Sequence, residues 1–268
     1  MREELGDDEV FLMLISIALT AIAGYRWVLS LIVSAMVRSR SWLLLLITPP
    51  ACLAVVLFVL RRWADDEVRD DWRYLTLLLL LGAGWMGLFS TAMHWMGLSL
   101  RQDAAERKNF AAALAWCGGM MGVTVLYAGG NTGEGPSLWN NVFSAGLGTA
   151  ALIAFWMVLE STTKISHAIT VDRDAASGLR IGGFLLATGI VFGRALAGNW
   201  QSAGQTVHDF VRDGWMSAAM LGVAVLIEFL TRPTPKRARP HWFVFGVLPA
   251  AAYLAAALKW VNRLGPWK

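Results

Sequence analysis

Apolar runs of about 20 residues, separated by short polar stretches, dominate this chain. A helix needs about 20 apolar residues to cross the hydrocarbon of a bilayer. Runs at 10–36, 42–61, 74–99, 109–130, 139–162, 177–199, 214–231 and 241–261 reach or approach that length. They predict an all-α integral membrane protein with about eight transmembrane helices. No period-2 alternation competes with this reading, and the runs are too continuous for a membrane barrel. Trp42, Trp63, Trp72, Trp139, Trp200, Trp215, Trp242 and Trp260 fall near the ends of the runs, where indole favours the headgroup zone. Trp85, Trp116 and Trp156 fall inside them. Pro49-Pro50 removes two amide donors from the second run, which predicts a kink or a break there.

One pattern occurs twice. "ERKNFAAALAWCGGMMG" (106–122) is polar, then small and glycine-rich, and "VDRDAASGLRIGGFLLATG" (171–189) repeats that order. At a shift of 64, five of seventeen positions from 109 to 125 are identical, including Gly118/Gly182 and Gly119/Gly183. The helices that follow match at a shift of 74, from Leu147/Leu221 to Phe155/Phe229, with ten extra residues assigned to a longer connection at 200–213. The pattern predicts a parallel two-helix hairpin repeat formed by helices 4–5 and 6–7. Gly118 and Gly122, Gly178 and Gly182, and Gly189 and Gly193 are each four apart on one helix face. With Gly119 and Gly183 they read as helix-packing positions, because small residues let backbones approach where lipid supplies no hydrophobic drive. The organisation expected is a two-helix segment at 1–72, a core at 73–232, and a basic linker with the last helix at 233–268.

The same residues carry a family likeness. "ERKNFAAALAWCGGMMGVTVL", a helix approached through Trp139, and then "ISHAITVDRDAASGLRIGGFLLATGIVFGRAL" resemble the YjfL-like inner-membrane family, domain of unknown function 350, over roughly residues 74–200. Asn109, Ala111, Ala112 and Gly118 fit its first element, and Ala175, Ala176, Gly178 and Gly189 its second. Arg173-Asp174 stands where an asparagine is usual, "LYAGG" departs from the usual end of the first glycine helix, and four helices are added to the family's compact unit. The resemblance implies an inner-membrane protein tied to envelope stress, and it brings no catalytic residues.

Composition agrees with the pattern. The chain is 56% hydrophobic and 16% charged, against about a quarter charged in soluble domains. That excludes a soluble domain and leaves no basis for nucleic-acid binding. "MREELGDDE" is an acidic leader, so the first run reads as a spanning helix despite Ala21-Ile22-Ala23, which resembles a processing site. An even helix count places both termini on one face, here face A. Face B carries eleven Lys and Arg against nine on face A, which favours face B as cytoplasmic and the termini as extracytoplasmic. Cys52 and Cys117 lie within helices, the four histidines lack metal-ligand spacing, and neither a metal nor a cofactor is expected.

Ionisable groups within membrane spans are costly and are functional candidates by default. Arg26, His94, Glu160, Arg180, Arg194 and Glu228 qualify. All but Arg194 fall in the half of the membrane toward face B, beside Asn109. Three readings are open: these residues snorkel to the interface, or Arg26, His94, Asn109, Glu160, Arg180 and Glu228 form a polar vestibule, or a tight internal ion pair serves packing alone. Glu160 and Arg180, at similar depth on consecutive helices, are the expected ion pair. "GGNTGEGP" (129–136) lacks the signature of a phosphate loop and reads as a turn. "ADDEVRDDWR" (64–73) reads as an interfacial linker, and "RPTPKRARPHW" (232–242) as a basic lipid-facing anchor. No catalytic arrangement is visible. The expected function is a non-enzymatic membrane scaffold or stress-associated component whose partners are the lipid bilayer, other membrane or stress-response proteins, and further copies of itself. The alternative is a transporter or channel with a polar entrance between the hairpins.

Overall fold

The computed structural model describes residues 6–135, 137–231 and 241–265. In chain order its helices are α1 (Asp7–Met36), α2 (Trp42–Trp63), α3 (Asp66–Asp70), α4 (Trp72–Trp95), α5 (Phe110–Gly129), α6 (Leu138–Thr163), α7 (Ile165–Thr170), α8 (Ala175–Leu196), α9 (Ala203–Thr231) and α10 (Leu248–Arg263). Wide π-type turns at Leu100–Glu106 and Phe243–Val247 precede α5 and α10. Among the described residues, eight helical stretches are long and apolar enough to cross a membrane, the last running Phe243–Arg263. The protein is an all-α multi-pass membrane protein.

The polar lead-ins have a local purpose. Asp71 accepts from the Arg73 amide at 2.8 Å and starts α4, and Asn109 accepts from the Ala112 amide at 3.3 Å and starts α5. Asp174 accepts from the amides of Ala176 and Ser177 and starts α8. Each satisfies donors that the first helical turn leaves open. Within "ADDEVRDDWR", Asp65 caps the five-residue α3 in the same way.

Two expectations are refined. Of the kink or break expected at Pro49-Pro50, the break does not occur, since α2 is continuous through both prolines. Proline at 49 deprives the Leu45 carbonyl of its helical donor, and Trp27 of α1 supplies another, Nε1 donating at 2.7 Å. The second correction concerns the seventh span, which starts at Ala203 rather than 214, so no long connection exists at 200–213. Its first three turns are amphipathic: Arg212 pairs with Asp209 at 3.0 Å and with Asp213 at 2.8 Å, while Phe210 and Gly214 are buried. That polarity hides the helix from a hydropathy reading. Because α6 and α9 begin at Leu138 and Ala203, and α5 and α8 at Phe110 and Ala175, both pairs are offset by 65 residues. The shift of 74 therefore does not align the elements. The spans α1, α4, α6 and α9 begin at 7, 72, 138 and 203.

The centre of the bundle is α5 against α8, the two most buried spans. They run in the same direction and touch backbone to backbone. A Cβ on Gly182 would lie 2.8 Å from the Leu114 carbonyl oxygen, and one on Gly193 would lie 2.6 Å from that of Val125. Cβ atoms on Gly118, Gly122, Gly178 and Gly189 would overlap the backbones of Gly182, Leu185, Ala111 and Gly122. A Cβ on Gly119 would lie 2.8 Å from the Met93 side chain of α4 and 3.2 Å from Leu185 of α8, and Gly183 faces Ala250 of α10. Outside this pair, α1 seats on α4 at Gly84 and Gly87. Trp116 and Trp156 are buried, and the Tyr127 hydroxyl crosses Gly82 to donate to the Leu78 carbonyl at 2.7 Å. At face A, the chain around "GGNTGEGP" is tied down by Gly133, whose amide donates to Trp63, and by Trp200, whose amide donates to Glu134 at 2.8 Å.

Gly118→Val should separate α5 from α8 and cost about 1–3 kcal/mol or more. Gly222→Ala, where a Cβ meets nothing within 4 Å, should be neutral or stabilise by up to about 1 kcal/mol. Thermal unfolding of both variants in detergent checks this; equal loss in the two would contradict it.

Candidate functional site

The six residues of the expected vestibule occupy four separate settings. Arg180 of α8 pairs with Glu228 of α9 rather than with Glu160. Its Nε donates to one Glu228 oxygen, its Nη2 to the other at 2.8 Å and to Ser177 Oγ at 2.8 Å, and its Nη1 to the Phe245 carbonyl. Asp174 Oδ2 lies 3.9 Å from the same guanidinium. With side chains 1% and 3% exposed, neither Arg180 nor Glu228 snorkels. The planar fork of arginine matches a carboxylate at two points, and this pairing ties α8, α9 and the turn before α10 together.

Glu160 does different work. It accepts from the Ser166 amide at 2.8 Å and from the Ser166 hydroxyl at 2.7 Å, fastening the start of α7. The expected pair with Arg180 fails because Lys164, in a left-handed conformation (φ 55°), turns the chain between α6 and α7. Asn109, besides capping α5, donates to the Ile169 carbonyl at 2.8 Å and joins the starts of α5 and α8. Arg194, toward face A, donates to the carbonyls of Leu264 at 2.7 Å and Gly265 at 3.3 Å. A cation there complements the negative end of α10.

Arg26 and His94 remain, and they line one cavity of about 560 Å³ between α1, α2, α4 and α5. Its walls are largely apolar, with Leu53, Met86, Trp116 and Met120 among them, and Pro49 and Pro50 lie in the α2 side. Toward face B it reaches Ser99, Arg101 and Gln102. Trp116 Nε1 donates to Ser90 Oγ at 3.1 Å, which leaves the indole face in the wall. Among the described residues, no carboxylate lines the cavity. Arg101 is paired with Glu106 at 2.8 Å. Arg26 donates to the Thr91 hydroxyl at 2.7 Å, and among the described residues it has no carboxylate partner. It lies ten residues before the end of α1, about 15 Å along the helix axis. An ionisable group at that depth in a membrane span is a candidate functional residue.

The sequence reading identified Arg26 and His94 but missed the groups that shape the space around them. Gly87 and Thr91 are spaced to face α1 from α4, Ser90 meets Trp116 of α5, and Trp27 follows Arg26 directly. The spacing of Gly84 and Gly87 was the signal that could have paired α1 with α4. Among the described residues, no three His, Cys, Asp or Glu side chains converge as a metal site would require. The basic stretch at 232–240 lies outside the described residues. No protein-family model matches the chain, and no curated protein or solved structure is significantly similar to it.

Arg180→Met and Glu228→Leu should each destabilise the fold by about 3–5 kcal/mol, because each removes one member of a buried ion pair. The double variant should recover most of that loss. A double-mutant cycle on detergent unfolding measures it, and a coupling near zero would show the pair to be independent.

Proposed function

We propose that this protein binds an amphiphilic anion in the cavity between α1, α2, α4 and α5 and moves it between the membrane and face B. The observation that carries the reading is Arg26, a guanidinium within a membrane span that meets a neutral hydroxyl and, among the described residues, no carboxylate. An anionic head at Arg26 and an apolar body against Leu53, Met86 and Met120 would use both halves of the cavity. The volume is in the range of small-molecule sites. The membrane is proposed to be a bacterial inner membrane, with face B cytoplasmic on the strength of its lysines and arginines and both termini extracytoplasmic. Kinship with the YjfL-like family would supply that setting, without a residue role. The activity is binding and movement rather than catalysis.

The scaffold reading loses one support. Gly118, Gly122, Gly178, Gly182, Gly189 and Gly193 face one another or neighbouring backbone inside the chain, so these faces do not serve a partner or a second copy. The hairpins also support a tandem-repeat reading. The turn before α5 and the turn before α8 are closed alike, Asn109 N to Asp103 O at 3.1 Å and Asp174 N to Ala168 O at 3.0 Å. With spans starting at 7, 72, 138 and 203, the proposed unit is one hairpin, present four times in parallel orientation.

The test is equilibrium binding of radiolabelled palmitate to the protein in phosphatidylcholine nanodiscs, with methyl palmitate as the uncharged competitor. Wild type should bind saturably. Arg26→Gln should weaken binding tenfold or more, as expected for loss of one charge-assisted contact of about 1.5–3 kcal/mol. Gly24→Leu, whose new side chain would grow from a cavity-lining position with nothing within 4 Å of its Cβ, should abolish binding. Competition by methyl palmitate equal to that of palmitate, or indifference to both substitutions, would remove the reading.

A further inference from the structure

A second pocket, of about 400 Å³, opens at face B where the starts of α2, α5 and α8 meet. Four cations line it: Arg38 and Arg40 from the α1–α2 connection, Lys108 before α5, and Arg173 before α8. All four are exposed, and among the described residues none forms an ion pair. The nearby carboxylate of Asp174 is turned inward, to the amides of Ala176 and Ser177, the Ser177 hydroxyl, and Arg180. Four positive charges brought together from three separate segments repel one another, and no described residue supplies a counter-charge.

Their backbone sharpens the point. Only four non-glycine residues among those described have positive φ: Arg38 (51°), Lys108 (53°), Lys164 (55°) and Arg173 (54°). Three of the four line this pocket. Glycine or asparagine is the usual occupant of such left-handed positions at helix ends, and a larger side chain is less comfortable there. At Arg38 the local bonds are those of a helix-terminating turn, Ser39 N to Ser34 O at 3.0 Å and Arg38 N to Ala35 O at 3.0 Å. A cation occupies the left-handed position in each of three successive hairpin turns, and the fold gathers all three around one space. Asn109, donating to Ile169 at 2.8 Å, holds the Lys108 and Arg173 turns at a fixed separation. Phe110 and Ala111, in the first turn of the 20-residue α5, also line the pocket, and the start of a helix is its positive end.

We propose that this pocket binds a phosphate group, supplied either by the headgroup of an anionic phospholipid or by a soluble phosphate ester. Phosphate presents several strong acceptor oxygens and matches arginine and lysine in convergent positions. A basic pocket between membrane helices is a recurrent receptor for lipid phosphate. The site is separate from the Arg26 cavity and does not depend on it.

The test uses the full-length protein in phosphatidylcholine nanodiscs. One arm titrates phosphatidylglycerol into the bilayer and counts bound lipid by native mass spectrometry. The other titrates glycerol phosphate in solution and follows it by calorimetry. Saturable binding in the first arm alone identifies a lipid headgroup, and in the second a soluble ester. Lys108→Gly and Arg173→Gly remove the cations while relieving the left-handed backbone, so the variants should fold at least as well as wild type. They should weaken binding tenfold or more, singly or together. Lys164→Gly relieves the same backbone conformation outside the pocket and should leave binding unchanged. Absence of saturable binding in both arms overturns the proposal, as does equal affinity in wild type and the Lys108→Gly/Arg173→Gly double variant.

Discussion

The structure depends on how closely α5 and α8 approach. Lipid tails compete with any apolar side chain for an apolar helix face, so two helices gain little by burying leucines against each other in a membrane. Backbone contact is different, since dispersion and weak polar contacts rise steeply as two helices close to within the width of a glycine. Gly118, Gly122, Gly178, Gly182, Gly189 and Gly193 allow that closeness along the whole interface. The cost is conformational freedom in the unfolded chain and the absence of tolerance: at Gly182 and Gly193 even one methyl group would meet a carbonyl.

Once that pair is set, the remaining helices take their places around it. α10 meets α8 at Gly183, and α9 is fixed to α8 by Arg180 and Glu228. On the other side α2 packs on α5, while α1 reaches the bundle through α4. The cavity lies to one side of the central pair, between α1, α2, α4 and α5. Close packing at the centre is a consequence of the distribution of small residues.

The intramembrane arginines show how context decides the meaning of a charge. Arg180 has a carboxylate, a hydroxyl and a carbonyl around it and is buried. Arg194 has two carbonyls at the end of α10. Arg26 has one hydroxyl and an open cavity. The first two complete the architecture, and the third supplies an electrostatic demand that the protein does not meet by itself. At face B the same logic applies to Arg38, Arg40, Lys108 and Arg173, whose charges the described fold collects without neutralising.

Much of this was legible in the chain. Run length determined the number of spans, because the hydrocarbon thickness admits few alternatives. Asn109 and Asp174 were recognisable as polar residues leading into small ones, although their capping role was not. What only tertiary structure decided was partnership. Glu160 and Arg180 lie at similar depth on consecutive helices, yet the turn at Lys164 gives Glu160 to Ser166 and leaves Arg180 to Glu228, 48 residues away. The start of α9 was hidden because Asp209, Arg212 and Asp213 satisfy one another on a helix that hydropathy reads as a loop. Periodicity reports which face of a helix is apolar or small; it carries no information on the rotation and offset at which two helices meet, and those two quantities choose the partner of every charge.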